Sequence, residues 1–214
     1  MGVLHFSEAG GVPLPRGRRD LSRDEVMDSQ RGRLLVAMLS AVAAKGYGDV
    51  TVSDVTERAS VSRATFYQFF DGREACFEAA YDAAADVMAT AIGEAVSGEG
   101  SFEVRLARGI EAYCTVLETN RVLAQAVLFE ADACPAARLR RMAALDAWAE
   151  QLVRLAEGVP GPPIPVPWAH AAVGAVTHLS RIALAQADAR DIEAIAEPAT
   201  RAVLVLLGRA PGER

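Results

Sequence analysis

Ser62, Arg63, Ala64, Thr65, Tyr67 and Gln68 place two hydroxyls next to one another along a helix, with a guanidinium, a phenol and a carboxamide among them. Such groups hydrogen-bond to phosphate oxygens and to the edges of base pairs. A helix that only covers a core has no folding reason to expose a tyrosine beside two hydroxyls and an arginine. Nucleic acid is therefore the partner chemistry that this run suggests. The competing reading is an ordinary helical hairpin with a polar face, because two helices joined by a short turn are common.

The elements that must hold these side chains are legible around them. Val52, Val55 and Ala59 recur at helical spacing and leave Ser53, Asp54, Glu57 and Arg58 off the apolar stripe. Thr51 caps this helix, with Asp54 three residues on as a capping box. Ser60-Val61-Ser62 makes a turn, and Ser62 caps a second helix through Phe70 that directs Val61, Phe66 and Phe70 inward. Ahead of the pair, Arg31 to Tyr47 reads as a longer amphipathic helix. Its core stripe is Leu34, Leu35, Met38, Leu39 and Val42, and Gly46 is its stop. Behind the pair, Asp71 with Glu74 caps a further helix. Arg73 falls in its first turn, where a cation opposes the helix dipole and a bound phosphate would account for it.

Taken in order, these pieces resemble the DNA-binding domain of the tetracycline-repressor (TetR) family of transcriptional regulators. The resemblance runs from Arg31 to Tyr81. It rests on Lys45-Gly46-Tyr47, on Thr51-Val52-x-Asp54-Val55, on Ala59 to Tyr67, and on Phe69-Phe70-Asp71-Gly72-Arg73-Glu74. The chain has Ser60, Phe69 and Arg73 where the family pattern often has Gly, His and Lys. The resemblance implies that Thr51, Thr65, Tyr67 and Arg73 hold the phosphate backbone, that Ser62 both caps and contacts phosphate, and that Arg63, Ala64 and Gln68 face base edges in the major groove. Arginine there suits guanine, glutamine suits adenine, and alanine meets a thymine methyl.

Residues 1–28 precede this domain as an arm. Gly10 to Pro15 cannot form a helix, Arg16, Arg18 and Arg19 make it basic, and Ser22-Arg23-Asp24-Glu25 is a capping box that extends the first long helix back to about Ser22. The arm is expected to enter a neighbouring minor groove, as in homeodomains; a basic tail adding only general attraction is the alternative. Net charge over the whole chain is −6, which taken alone argues against nucleic acid. Through Phe70, however, nine Lys and Arg face eight Asp and Glu, and beyond it thirteen face twenty, so the acidity belongs to the second part.

That second part is helical throughout, with breaks near Gly98–Gly100, Asn120, Pro135 and the five-proline stretch from Gly158 to Pro167. With no strand signal, the expected fold is all-α: an arm over 1–28, a DNA-binding domain over 29–72, and an effector-binding and dimerisation domain over 73–214. The last two helices carry small residues at Ala171, Gly174, Ala175, Ala183, Ala199, Ala202, Val203 and Leu206, the surface expected to meet a second copy in a four-helix seam. Tyr81, Met88, Tyr113, Leu117, Phe129, Trp148, Thr177, His178 and Arg181 are the candidates for an effector pocket, each also open to a core or surface role. Cys76, Cys114 and Cys134 fit neither a disulfide framework nor a zinc site and are expected to be buried thiols.

No signal-peptide pattern opens the chain, and no run approaches the ~20 apolar residues of a membrane span. A cytoplasmic protein without cofactor or catalytic residues is expected. The function expected is a homodimeric repressor on a palindromic operator, released when a small hydrophobic ligand shifts its conformational population. An activator or a ligand-independent regulator on the same fold, or a helical adaptor without DNA, are the alternatives.

Overall fold

The computed structural model describes residues 23–186 and 192–209, so Arg16, Arg18 and Arg19 lie outside the described residues. The described residues form α-helices with short 3-10 and π turns and no strand, as expected from the sequence. Contacts divide them into two compact units. The first holds the chain through Ala84 together with Asn120–Arg140, and the second holds Ala85–Thr119 and the chain from Arg141 on. The first turns of one long helix and a later segment thus pack with the N-terminal helices.

In the first unit, α1 (Arg23–Lys45) buries Leu34, Leu35, Met38, Leu39 and Val42 as its spacing predicts. It stops at Gly46, whose φ of 78° is a conformation glycine adopts without steric cost. A 3-10 turn, Tyr47–Asp49, leads to α2 (Val52–Ala59) and then α3 (Arg63–Phe69). The next helix, α4 (Arg73–Val96), begins one residue later than a cap at Asp71 would place it. Its first bond runs from the Cys76 N–H to the Gly72 carbonyl, so the cap position is Gly72.

The later segment of this unit, between the breaks expected at Asn120 and Pro135, is not a single α-helix. Only Arg121–Gln125 is α-helical (α6), and Ala126–Glu130 winds as a π turn before a 3-10 turn, Ala131–Ala133. Leu123, Ala124, Ala126, Val127 and Leu128 are all buried, more of the circumference than one face of an α-helix covers. The wider π turn brings consecutive side chains into the core. Pro135 then opens α7 (Pro135–Leu155), whose Arg140 bonds Glu78 at 2.9 Å on α4.

The second unit is a bundle of the remainder of α4 and α7 with α5 (Phe102–Thr119), α8 (Val166–Ala185) and α9 (Ala196–Leu206). Arg105 Nε donates to the last-turn carbonyl of Val96 at 2.8 Å, closing the α4–α5 corner. At Gly109 a Cβ would lie 2.8 Å from Val96 Cγ1, so the close passage of α5 past α4 requires glycine. α8 starts at Val166, inside the proline stretch expected to be a break, because Pro167 sits in its first turn, where a missing N–H costs nothing. α9 is preceded by a 3-10 turn, Ile192–Ile195, held to α5 by the Ile192 N–H donating to Glu118 at 3.0 Å.

Candidate nucleic-acid interface and ligand cavity

The interface is built from caps upward. The Thr51 hydroxyl accepts from the Asp54 N–H at 3.3 Å while Asp54 accepts from the Thr51 N–H at 2.9 Å, the reciprocal box that the spacing predicts. Lys45 donates to the same Asp54 carboxylate, tying the end of α1 to the start of α2. The Lys45 ammonium and the Thr51 donors hold that carboxyl well below the usual carboxylate range. Ser60 ends α2 at φ 53°, so a serine occupies the left-handed turn where the resembled pattern has glycine. Ser62 accepts from the Thr65 N–H at 3.0 Å and starts α3.

Started by this cap, α3 and the residue after it bury Phe66 and Phe70 and present Ser62, Arg63, Ala64, Tyr67 and Gln68 outward, with Thr65 half-buried. Tyr67 is 57 % exposed and keeps its ring edge-on to Phe66, 5.4 Å between centroids. The Arg63 guanidinium donates to the Ser53 hydroxyl, bracing α3 against α2. Phe69 is half-buried beside Phe70, 6.2 Å between centroids, so this departure from the pattern is absorbed by packing.

Arg73 has a structural explanation that makes a bound phosphate unnecessary. Its Nη1 lies 3.2, 2.9 and 2.7 Å from the carbonyls of Tyr47, Gly48 and Val50, sharing two protons among three acceptors, and its guanidinium stacks 4.7 Å from the Tyr47 ring centroid. It holds the turn that leads into α2. Two other residues do related work and were missed in the sequence. Arg33 Nη1 donates to the Ala59 carbonyl at the end of α2, and Glu130 accepts from the Tyr47 N–H at 3.0 Å. Neither has a local signal: Glu130 is 83 residues from its partner. Tyr47 itself stacks on Phe77 at 5.0 Å, and burial together with the Cys134 thiol pushes its hydroxyl up to about 12.

The second unit contains an open apolar cavity. Ile92 and Val96 of α4, Leu106, Gly109, Ile110 and Tyr113 of α5, Trp148, Gln151, Leu152 and Leu155 of α7, Ala172, Val173, Val176 and Thr177 of α8, and Val203 of α9 form its wall. Tyr113 and Trp148 meet edge to face at 5.8 Å. The Thr177 hydroxyl is turned back to the Val173 and Gly174 carbonyls at 3.1 and 3.0 Å, which leaves the lining overwhelmingly apolar.

Of the sequence candidates for this pocket, Tyr113, Trp148 and Thr177 line it. Met88 and Leu117 are buried in the same unit but do not, Tyr81 and Phe129 belong to the other unit, and on α8 His178 is exposed and Arg181 half-buried. Gln151, one turn from Trp148, is the polar wall residue missed in the sequence. The expected seam is split in the same way. Ala171 and Gly174 are exposed and Ala175, Ala202 and Leu206 half-buried, whereas Ala183, Ala199 and Val203 are buried within the protomer. Helices pack closely at small residues inside a protomer as readily as between protomers, so composition alone does not separate the two.

Cys76, Cys114 and Cys134 are buried free thiols, and burial pushes Cys76 and Cys114 up to about 12. Among the described residues no group of His, Cys, Asp or Glu is placed to hold a metal, and no helix is long and apolar enough to cross a membrane.

Residues 34–80 match the family described as "Bacterial regulatory proteins, tetR family". A curated relative, the HTH-type transcriptional activator FasR of Mycolicibacterium smegmatis, is 28 % identical over 116 residues, 54 % of this chain, and the chain spans about half (53 %) of that relative's length. Among solved structures, the fatty acid degradation regulator FadR from Bacillus halodurans aligns with a TM-score of 0.74 at 16 % identity, covering 87 % of this chain and 97 % of that one. FadR from Bacillus subtilis, solved in complex with stearoyl-CoA, aligns at 0.71 and 16 % identity over 79 % of this chain and 95 % of that one. These structural likenesses concern the fold.

Proposed function

From the premise that this chain belongs to the TetR family of transcriptional regulators, we propose that it acts as a homodimer on a palindromic operator and that an apolar ligand in the second unit changes its hold on DNA. The observation that carries the reading is α3, capped by Ser62, with Arg63, Tyr67 and Gln68 on its exposed face. The ligand half is supported by the apolar cavity, and the FadR solved with stearoyl-CoA makes long-chain acyl compounds the first class to test. The dimer half is supported by α8, where Trp168, Ala171, Gly174, His178 and Ile182 recur at helical spacing on an exposed and mostly apolar face. α4 links the two functions covalently, since it carries Arg73 at one end and the cavity residues Ile92 and Val96 at the other.

The test is fluorescence anisotropy with duplexes from the DNA flanking the coding region, titrated with protein and then with long-chain acyl compounds. Saturable binding that weakens steeply with salt and is altered by an acyl compound is expected. Binding to all duplexes with one affinity would overturn the operator reading, and indifference to every apolar ligand would overturn the effector reading. The relative named as an activator favours a second reading, in which the same protein activates its target. Transcript levels in a deletion strain separate the two, rising for a repressor and falling for an activator.

A further inference from the structure

Arg209 follows the end of α9 and is only 7 % exposed. Gly208, at φ 66°, turns the chain: its N–H donates to the Val205 carbonyl at 3.1 Å and the Arg209 N–H donates to the Leu204 carbonyl at 2.8 Å. This is the Schellman arrangement, and it needs glycine at the left-handed position. The side chain it leads to is enclosed. Its guanidinium carbon lies 4.3 Å from the ring centroid of the fully buried Phe102, and a Cβ on Gly161 would stand 3.2 Å from it. Nη2 donates to the Pro162 carbonyl at 3.3 Å. Nε and Nη1 are buried with no hydrogen-bond partner among the described residues.

A guanidinium stays charged at any pH at which a protein folds, so burying one with three N–H protons unanswered is costly unless an acceptor arrives. A ring face and one long hydrogen bond do not provide it. The neighbouring acid, Glu103, is engaged by the Ser101 hydroxyl and by a backbone amide, which hold its carboxyl low more strongly than the Arg209 charge does.

The residues of the enclosure are not among those that line the cavity, but both are built on α5 and on the ends of α7 and α9. Phe102 precedes the cavity residue Leu106 by one turn of α5, Gly161 follows the cavity residue Leu155 at the end of α7, and Arg209 follows the cavity residue Val203 at the end of α9. One turn of α5 amounts to about 6 Å along the helix axis. An unsatisfied cation thus sits at the neighbouring level of the bundle that encloses an apolar cavity.

We propose that Arg209 is the subsite for an anionic oxygen group at the end of the cavity ligand, so that the effector is an amphiphile with an apolar chain and a carboxylate or phosphate head. This rests on the cavity being the ligand site proposed above. The apolar walls hold the chain, and the free Nε and Nη1 protons receive the anionic oxygens; hydrogen bonds to charged groups in such surroundings are the strong ones.

The test is isothermal titration calorimetry on the full chain with dodecanoic acid, dodecyl phosphate and dodecanol, which share a chain and differ in the head. At least one of the two anions is expected to bind about tenfold or more tighter than the alcohol, as a gained charge-assisted hydrogen bond implies, and the tighter of the two identifies the head. Arg209→Gln is expected to bring the anions to the affinity of the alcohol and to leave the alcohol unchanged. A second measurement needs no variant: the advantage of dodecanoic acid over dodecanol should fade as pH falls through the acid's own titration. Equal binding of anions and alcohol to the wild type overturns the subsite while the cavity reading stands. Equal weakening of all three by Arg209→Gln, with an acid advantage insensitive to pH, makes Arg209 a structural staple and overturns it too. Binding of none of the three removes the cavity reading and the subsite together.

Discussion

Arg63 is held before any DNA arrives, because its guanidinium donates to the Ser53 hydroxyl and so points from α3 along the exposed side of α2. A side chain already ordered loses less entropy on meeting a base edge. Arg63→Ala is expected to cost about 1–3 kcal/mol on the operator and much less on scrambled DNA, whereas Tyr67→Phe should weaken both alike. Anisotropy on the two duplexes measures this, and an equal loss on both for Arg63→Ala would remove Arg63 from base reading. Arg63, Tyr67 and Gln68 were legible in the sequence because their meaning is local: polar groups on the side of a short helix opposite Phe66. Arg73 was legible as an unusual arginine but not in its role. Its three carbonyl acceptors come from a turn more than twenty residues earlier, which helical spacing does not reveal.

The turn between α2 and α3 concentrates what the caps fix and what they leave strained. Ser60 is the described non-glycine residue with positive φ, and a left-handed L-residue carries about 1–2 kcal/mol that glycine does not, partly offset by the greater freedom of glycine in the unfolded chain. Ser60→Gly is therefore expected to stabilise the fold by about 0.5 kcal/mol, read from the denaturant midpoint at constant slope. At the other end of α2 the Asp54 carboxyl titrates below its ordinary value. Between the two values the unfolded chain takes up a proton that the folded chain refuses, so stability falls as pH drops below the usual carboxylate range. Asp54→Asn should flatten that acid limb in unfolding curves recorded across the range; an unchanged limb would show that the box contributes nothing to it. Both caps of this motif were readable in advance because a cap and its partner lie within three residues. The π turn over Ala126–Glu130 was not, since it arises from burial of consecutive side chains rather than from any residue that prefers it.

At the scale of the whole molecule the sequence separates a near-neutral front from an acidic remainder. It did not separate small residues that pack within a protomer from small residues left for a partner. Ala183, Ala199 and Val203 have the composition of a seam, yet neighbouring helices of the same chain cover them. Gly174 is the position at which the two cases can be told apart. It is exposed on α8 between Ala171 and His178, and a Cβ there meets nothing within 4 Å. Glutamate is a better helix former than glycine, so Gly174→Glu has no reason to weaken the protomer and should raise its stability by a few tenths of a kcal/mol. Across a twofold seam the same substitution brings two like charges together in an apolar contact, which is unfavourable unless they are paired. The expected outcome is a folded protein, helical by circular dichroism, that runs as a monomer by light scattering at micromolar concentration. Its affinity for a full operator should drop to that for a half-site, because one reading head no longer carries the other to the second half-site. A variant that stays dimeric with full operator affinity would show that this face of α8 is not the seam.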